Sequence, residues 1–159
     1  MPPAPLAVEI TRSARVWAPP AAAMTRWAQA ALGRRGANRA LAVRIVAPRE
    51  SRRLNAAYRG KDKPTNVLSF PAVALPGSAR RAGADHPLGD LVICAAVVRD
   101  EAREQGKALA SHWAHLVVHG ALHLVGYDHV KNAEAARMER REIAVLRRFG
   151  IPNPYRARN

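Results

Sequence analysis

At 159 residues, with 48% hydrophobic and 24% charged side chains, the chain is the size of one ordinary domain and carries enough apolar surface to bury a core. Those proportions exclude wholesale disorder, and the longest unbroken apolar stretch, Leu91 to Val98, excludes a membrane helix, which needs roughly 20 such residues. A formal net charge of +14 points to polyanionic partners, whether RNA, DNA or an anionic surface, although a chain this rich in Arg, Ala, Gly and Pro also reads as the codon bias of a GC-rich genome.

A single domain over 1–159 is the expectation, with flexible ends at 1–5 and 156–159. The first residues, Met1 to Glu9, carry prolines and an acid where a secretory signal has basic residues and an apolar run. The lone Cys94 excludes an internal disulfide framework, suits a reducing compartment and reads as a small buried hydrophobe. A soluble, cytoplasmic protein is expected.

In chain order, Leu6 to Ile10 reads as a short strand, and an Ala-rich helix from about Ala21 to Leu32 follows Pro19-Pro20 and stops at Gly33 and Gly36. Leu41 to Ala47 alternates apolar side chains around Arg44, as a strand with one covered face does. Pro48 opens a helix through Tyr58, with Leu54 and Tyr58 on one face and Gly60 as its stop. Asn66 to Phe70 and Leu88 to Cys94 are further strands, the latter with Val92 and Cys94 on one side of its pleat. The polar segment between them, 72–87, is too long for a tight hairpin and reads as a mobile surface loop. Three helices complete the chain: Ala95 to Gln105 ending at Gly106, Leu109 to Val125 ending at Gly126, and an amphipathic Ala133 to Phe149 ending at Gly150. The predicted architecture is α+β: a small mixed sheet of four strands packed with about five helices.

The strongest chemical signal runs from His119 through His123 and Gly126 to His129. Histidines four apart on a helix project from one face, so both imidazoles can address one ion. Gly126 can take a left-handed turn that swings His129 back toward them. Three protein ligands leave a tetrahedral zinc one open position, the mark of a catalytic site, and one ion per chain is expected. The spacing matches the extended metalloprotease signature, but the Glu that serves there as general base is here Gly120. His112 and His115, on neighbouring turns, stay outside the expected ligand set; Asp128 either orients an imidazole or caps the turn.

A second cluster packs Arg59, Lys61 and Lys63 into five positions before the third strand. Arg59 can offer a planar fork to a phosphate, while Lys61 and Lys63 act as point charges; a solvated basic turn is the plain alternative.

From about Leu41 to its end, the chain resembles the YbeY endoribonucleases, single-domain bacterial metal-dependent RNases. The resemblance rests on the block Asn55 to Pro71, on Leu88-Gly89-Asp90-Leu91-Val92-Ile93-Cys94, on the run His115 to His129, and on Met138-Glu139-Arg140-Arg141-Glu142. It implies an α+β fold, a zinc site at His119, His123 and His129, and a functionally important Arg59. The activity implied is single-strand-specific endonuclease work on ribosomal RNA: maturation of the small-subunit RNA 3′ end and ribosome quality control, with the ribosome or its proteins as further partners. Arg59 and His119 are then the catalytic candidates, with Arg59, Lys61 and Lys63 as RNA contacts. One departure is Asn66, where the family usually has Asp. The general base, and whether water or the 2′-hydroxyl attacks, stay open at this point. Two rivals stand beside this reading: a non-catalytic RNA-binding assembly factor with structural zinc, and a metallopeptidase that recruits a carboxylate from elsewhere.

Overall fold

The computed structural model describes residues 2–72, 86–128 and 130–156. Its strands are β1 (Ala7–Arg12), β2 (Arg39–Val46), β3 (Val67–Pro71) and β4 (His86–Cys94); its helices are α1 (Ala21–Leu32), α2 (Pro48–Arg59), α3 (Ala95–Gln105), α4 (Leu109–Leu124) and α5 (Asn132–Arg147). A 3-10 turn, Gly33–Gly36, follows α1.

The strands pair in the order β1-β2-β4-β3. β1 and β4 flank β2 in parallel, with Ala7 opposite Ala40 and Val43 opposite Leu91, while β3 runs antiparallel to β4 with Ser69 opposite Leu91. Parallel neighbours need crossovers, and α1 makes the one between β1 and β2. The result is the mixed α+β sheet expected. Residues 73–85 of the expected loop lie outside the described residues, as do 1 and 157–159. The loop's expected end at 87 is corrected: β4 already begins at His86, which pairs with Arg39 and accepts a 3.3 Å hydrogen bond from Arg39 Nε.

The two-residue period of the strands sorts their side chains into two clusters. Leu41, Val43 and Ile45 of β2 and Leu91 and Ile93 of β4 join the main core with Trp113, Val117 and Leu122 of α4 and Met24 and Ala28 of α1. Val46, Val92, Leu68 and Phe70 point the other way and meet Leu54 of α2. The sheet is therefore covered on both faces, and the single covered face inferred from Arg44 is only half of the arrangement. Arg44 sits at the edge of the α2 side, held 3.0 Å from Glu50. Cys94 is buried, as expected.

α4 is the central helix, packed against α1, α3, α5, β3 and β4. Its N-terminal and middle turns bury Trp113, Val117, Val118 and Ala121 completely. The face left over carries histidines.

Candidate metal centre

His115, His119 and His123 follow one another at four-residue steps along α4 and line a single cavity of about 460 Å³. The His119 ring lies 6.0 Å from that of His115 and 5.6 Å from that of His123, centroid to centroid. Arg59 at the end of α2, Asn66 and Ser69 at β3, and Tyr155 of the C-terminal segment close the remaining walls.

α4 can lie this close to the sheet because position 120 has no side chain. A Cβ on Gly120 would stand 2.8 Å from Leu91 Cδ2 and 3.3 Å from Ser69 Oγ. Ser69 Oγ in turn donates to the Gly120 carbonyl at 3.3 Å. Position 120 thus faces Leu91 and Ser69 of the sheet. A carboxylate there would meet Leu91 and the β3 edge.

Behind His119 is a buried acid. Glu142 of α5 has no exposed surface. Its Oε1 accepts from His119 Nδ1 and its Oε2 from the Tyr155 hydroxyl; His115 Nε2 lies 3.7 Å from the same Oε2 and 3.2 Å from the Tyr155 oxygen. Burial by itself raises the Glu142 carboxyl, but the nearby His115 and the hydrogen bonds from His119 and Tyr155 together outweigh it and hold the group at about 2. An ionised carboxylate only accepts, so His119 Nδ1 carries a proton and donates it to this bond. Tyr155, raised first by burial and then by its bond to Glu142, keeps its proton and donates this hydrogen bond to Glu142. His115 Nε2 then donates to the Tyr155 oxygen, and burial, outweighing the nearby Glu142, lowers the His115 pKa.

His115, His119 and Glu142 offer ligand atoms that all lie within 4.8 Å of one another, a group able to hold a metal ion. Of the residues expected from sequence, His119 and His123 are brought to the cavity together. His129 lies outside the described residues. The turn leading toward it is as anticipated: Gly126 takes φ 98°, and Tyr127 N donates to Leu122 O at 3.1 Å. Beyond this turn, Asp128 Oδ1 accepts from Val130 N at 3.2 Å.

The basic block divides. Arg59 lines the cavity, whereas Lys61 and Lys63 are exposed on the following turn and do not line it. That turn is fastened by Asn55 Nδ2 donating to Lys63 O at 2.8 Å and by the Arg52–Asp62 ion pair at 2.7 Å. Asn66 is accounted for by a neighbour: its Nδ2 donates to Glu101 Oε1 at 3.0 Å, while its Oδ1 accepts from Val67 N. Glu101 also bonds His112 Nε2 at 2.9 Å. Burial raises the Glu101 carboxyl, but the bonds from His112 and Asn66 more than offset it, and the group ends below its ordinary value.

His115, Glu142 and Tyr155 were not among the expected site residues. His115 is one helical step before His119, and Glu142 occupies the apolar stripe of α5 with Met138, Val145 and Leu146. An acid on an apolar stripe signals a buried partner. Tyr155 carries no comparable mark.

A family profile described as Endoribonuclease YbeY matches residues 14–150. The chain is 55% identical over 156 residues to the Endoribonuclease YbeY of Alkalilimnicola ehrlichii, covering 95% of this chain and 90% of that one. It is 56% identical to the protein of the same name from Methylococcus capsulatus over 138 residues, 87% of each chain. Among solved structures, the solution structure of TM1509 from Thermotoga maritima matches with a TM-score of 0.56 at 21% identity, over 90% of this chain and 91% of that one, a likeness of fold.

Proposed function

The chain belongs to the YbeY endoribonuclease family, and from that premise we propose that it cleaves single-stranded ribosomal RNA at the histidine cavity, with one zinc ion held by His119, His123 and His129. The orientation of His119 carries this reading. Glu142 accepts the hydrogen bond from Nδ1, so Nε2 is the nitrogen that would face an ion, the usual way a carboxylate fixes a metal-binding imidazole. The donor chemistry fits zinc: imidazole nitrogens gathered along one helix face at a cavity. When bound, that ion supplies Lewis acidity toward a phosphoryl oxygen or an attacking water.

The chain's own residues supply the rest. Arg59, exposed at the end of α2 and lining the cavity, binds the phosphate and offsets the charge that grows on it as the bond breaks. Lys61 and Lys63, on the turn beyond, attract the flanking backbone. Maturation of the small-subunit RNA 3′ end and ribosome quality control, in the cytoplasm and in contact with the ribosome, are the roles we assign to this activity.

A second ligand set, His115, His119 and Glu142, is favoured by the closeness of its donor atoms. Proton accounting argues against it, because both Glu142 oxygens already accept hydrogen bonds. A peptidase mechanism is disfavoured by Gly120, whose position faces Leu91.

The test has two arms. Arg59→Ala and His123→Ala, both folded by circular dichroism, are expected to cut an unstructured RNA at least ~100-fold more slowly than the native chain; cleavage at the native rate by both sinks the assignment. In zinc titrations, His129→Ala is expected to lose more than ~100-fold in affinity, beyond what an outer hydrogen-bond partner contributes, while His115→Ala holds zinc nearly as well as the native chain. The opposite ranking transfers the ion to the second set.

A further inference from the structure

Beside the histidine cavity lies a larger one, about 700 Å³, whose lining includes Lys107, His112, Arg147 and Arg156 and, among the described residues, no Asp or Glu. The two cavities share a wall made by His115 and Tyr155. The floor of the second is the start of α4. Ala108, the N-cap, and Ser111 of the first turn both line it.

This helix start is chemically bare. Ala108 provides no side-chain cap, and no acidic residue occupies the first turn. The first backbone N–H groups of a helix have no acceptor within it, and they carry the positive end of its dipole. Such an end accommodates an anion, and three cationic side chains surround this one. His112, 4% exposed and lining the same cavity, has an Nδ1 with no hydrogen-bond partner. The walls are held by tertiary contact: Lys107 Nζ donates to Pro154 O at 2.9 Å, which ties the C-terminal segment over the beginning of α4. A volume of this size suits one nucleotide. Tyr155, 44% exposed on the shared wall, offers a ring face against which a base can stack.

We propose that this second cavity is a subsite for a nucleotide of single-stranded RNA beyond the two that the cleaved bond joins, its phosphate received by the α4 N-terminus with Arg147 and Arg156 and its base by Tyr155. The proposal rests on the RNA-cleaving reading of the histidine cavity and adds a direction to it: the strand leaves the metal centre across Tyr155 toward the start of α4.

The experiment compares the zinc-loaded native chain with the double variant Arg147→Ala/Arg156→Ala. A control double variant, Arg26→Ala/Arg34→Ala, removes equal charge from exposed positions that line neither cavity. Affinities for labelled oligoribonucleotides of two and six residues are read by fluorescence anisotropy across a salt series, with strand integrity checked on gels and folding by circular dichroism. The subsite variant is expected to bind the hexamer about tenfold more weakly, with the slope of log K against log salt reduced by roughly 0.7, as one lost phosphate contact on a single strand requires. Its affinity for the dinucleotide is expected to match the native value, and the control to match the native chain on both. Equal losses in the subsite and control variants, or equal losses on both lengths, overturn the subsite while leaving the RNA reading intact. A native chain that binds neither oligonucleotide overturns both.

Discussion

Asn66 ties the start of β3 to α3: its amide nitrogen reaches Glu101 at 3.0 Å, and Glu101 is bonded on its other side to His112. An aspartate at this position cannot donate and sets two carboxylates against each other. Asn66→Asp is therefore expected to destabilise this chain by about 1–3 kcal/mol at pH 7, the cost of breaking a hydrogen bond to a charged group. The pH dependence has a definite sign. Glu101 is depressed from its ordinary value of 4.5, so its contribution to the native chain is full above that value and disappears as pH falls through the lower folded one. In the variant each carboxylate raises the other, so the like-charge contact is relieved at higher pH than this, since protonating either carboxylate restores a donor. The difference in Tm between the two proteins, followed by circular dichroism from pH 8 to pH 4, should narrow on acidification; a constant gap means that the 66–101 contact does not govern the effect. The amide's departure from its family's usual residue was visible in sequence, but its reason was not, because Glu101 is 35 positions away. The same holds for Glu142, 23 positions from the histidine it orients.

The elements themselves were largely legible. Periodicity and the glycine stops put α1 and α3 at their observed limits, and strand ends moved by a few residues where pairing extended them, as β2 did back to Arg39. Local pattern determines such segments; it does not determine which strand lies beside which, or which helix face meets a ligand. Position 120 illustrates the difference. In sequence it is a missing general base, whereas in the fold it is a point of close approach between α4 and the sheet, with Leu91 fully buried beneath it. Restoring the protease-like residue is thus expected to damage the fold without creating peptidase activity. Gly120→Glu forces a charged side chain into a packed contact, and overpacking of 1–3 kcal/mol is compounded by the cost of burying an unpaired carboxylate, for a total of roughly 3 kcal/mol or more. Urea denaturation measures this directly. A variant as stable as the native chain means that α4 can lift from β4, and that position 120 is freer than the packing indicates.

At the scale of the whole molecule, the excess of 26 Lys and Arg over 12 Asp and Glu acts on any polyanion before a contact forms. Composition alone left open whether this charge serves a partner or only mirrors codon usage, and the fold gives the alternatives different measurable consequences. Several cations pair internally: Arg52 with Asp62, Arg44 with Glu50 and Arg99 with Asp100. By contrast, Arg59 lines the histidine cavity, Lys61 and Lys63 stand on the turn after it, and Lys107, Arg147 and Arg156 line the adjoining cavity. If a single strand runs along this course and meets about six of these groups, log K falls against log salt with a slope near −4, which is roughly a 250-fold loss of affinity between 50 and 200 mM salt. Cations scattered without regard to a binding path yield a far shallower slope, because few phosphates are engaged at once. Equilibrium binding of an unstructured oligoribonucleotide over that salt range separates the two cases. A slope shallower than about −2 rules out a continuous track, since it counts at most three phosphates and leaves no room for both cavities on one strand.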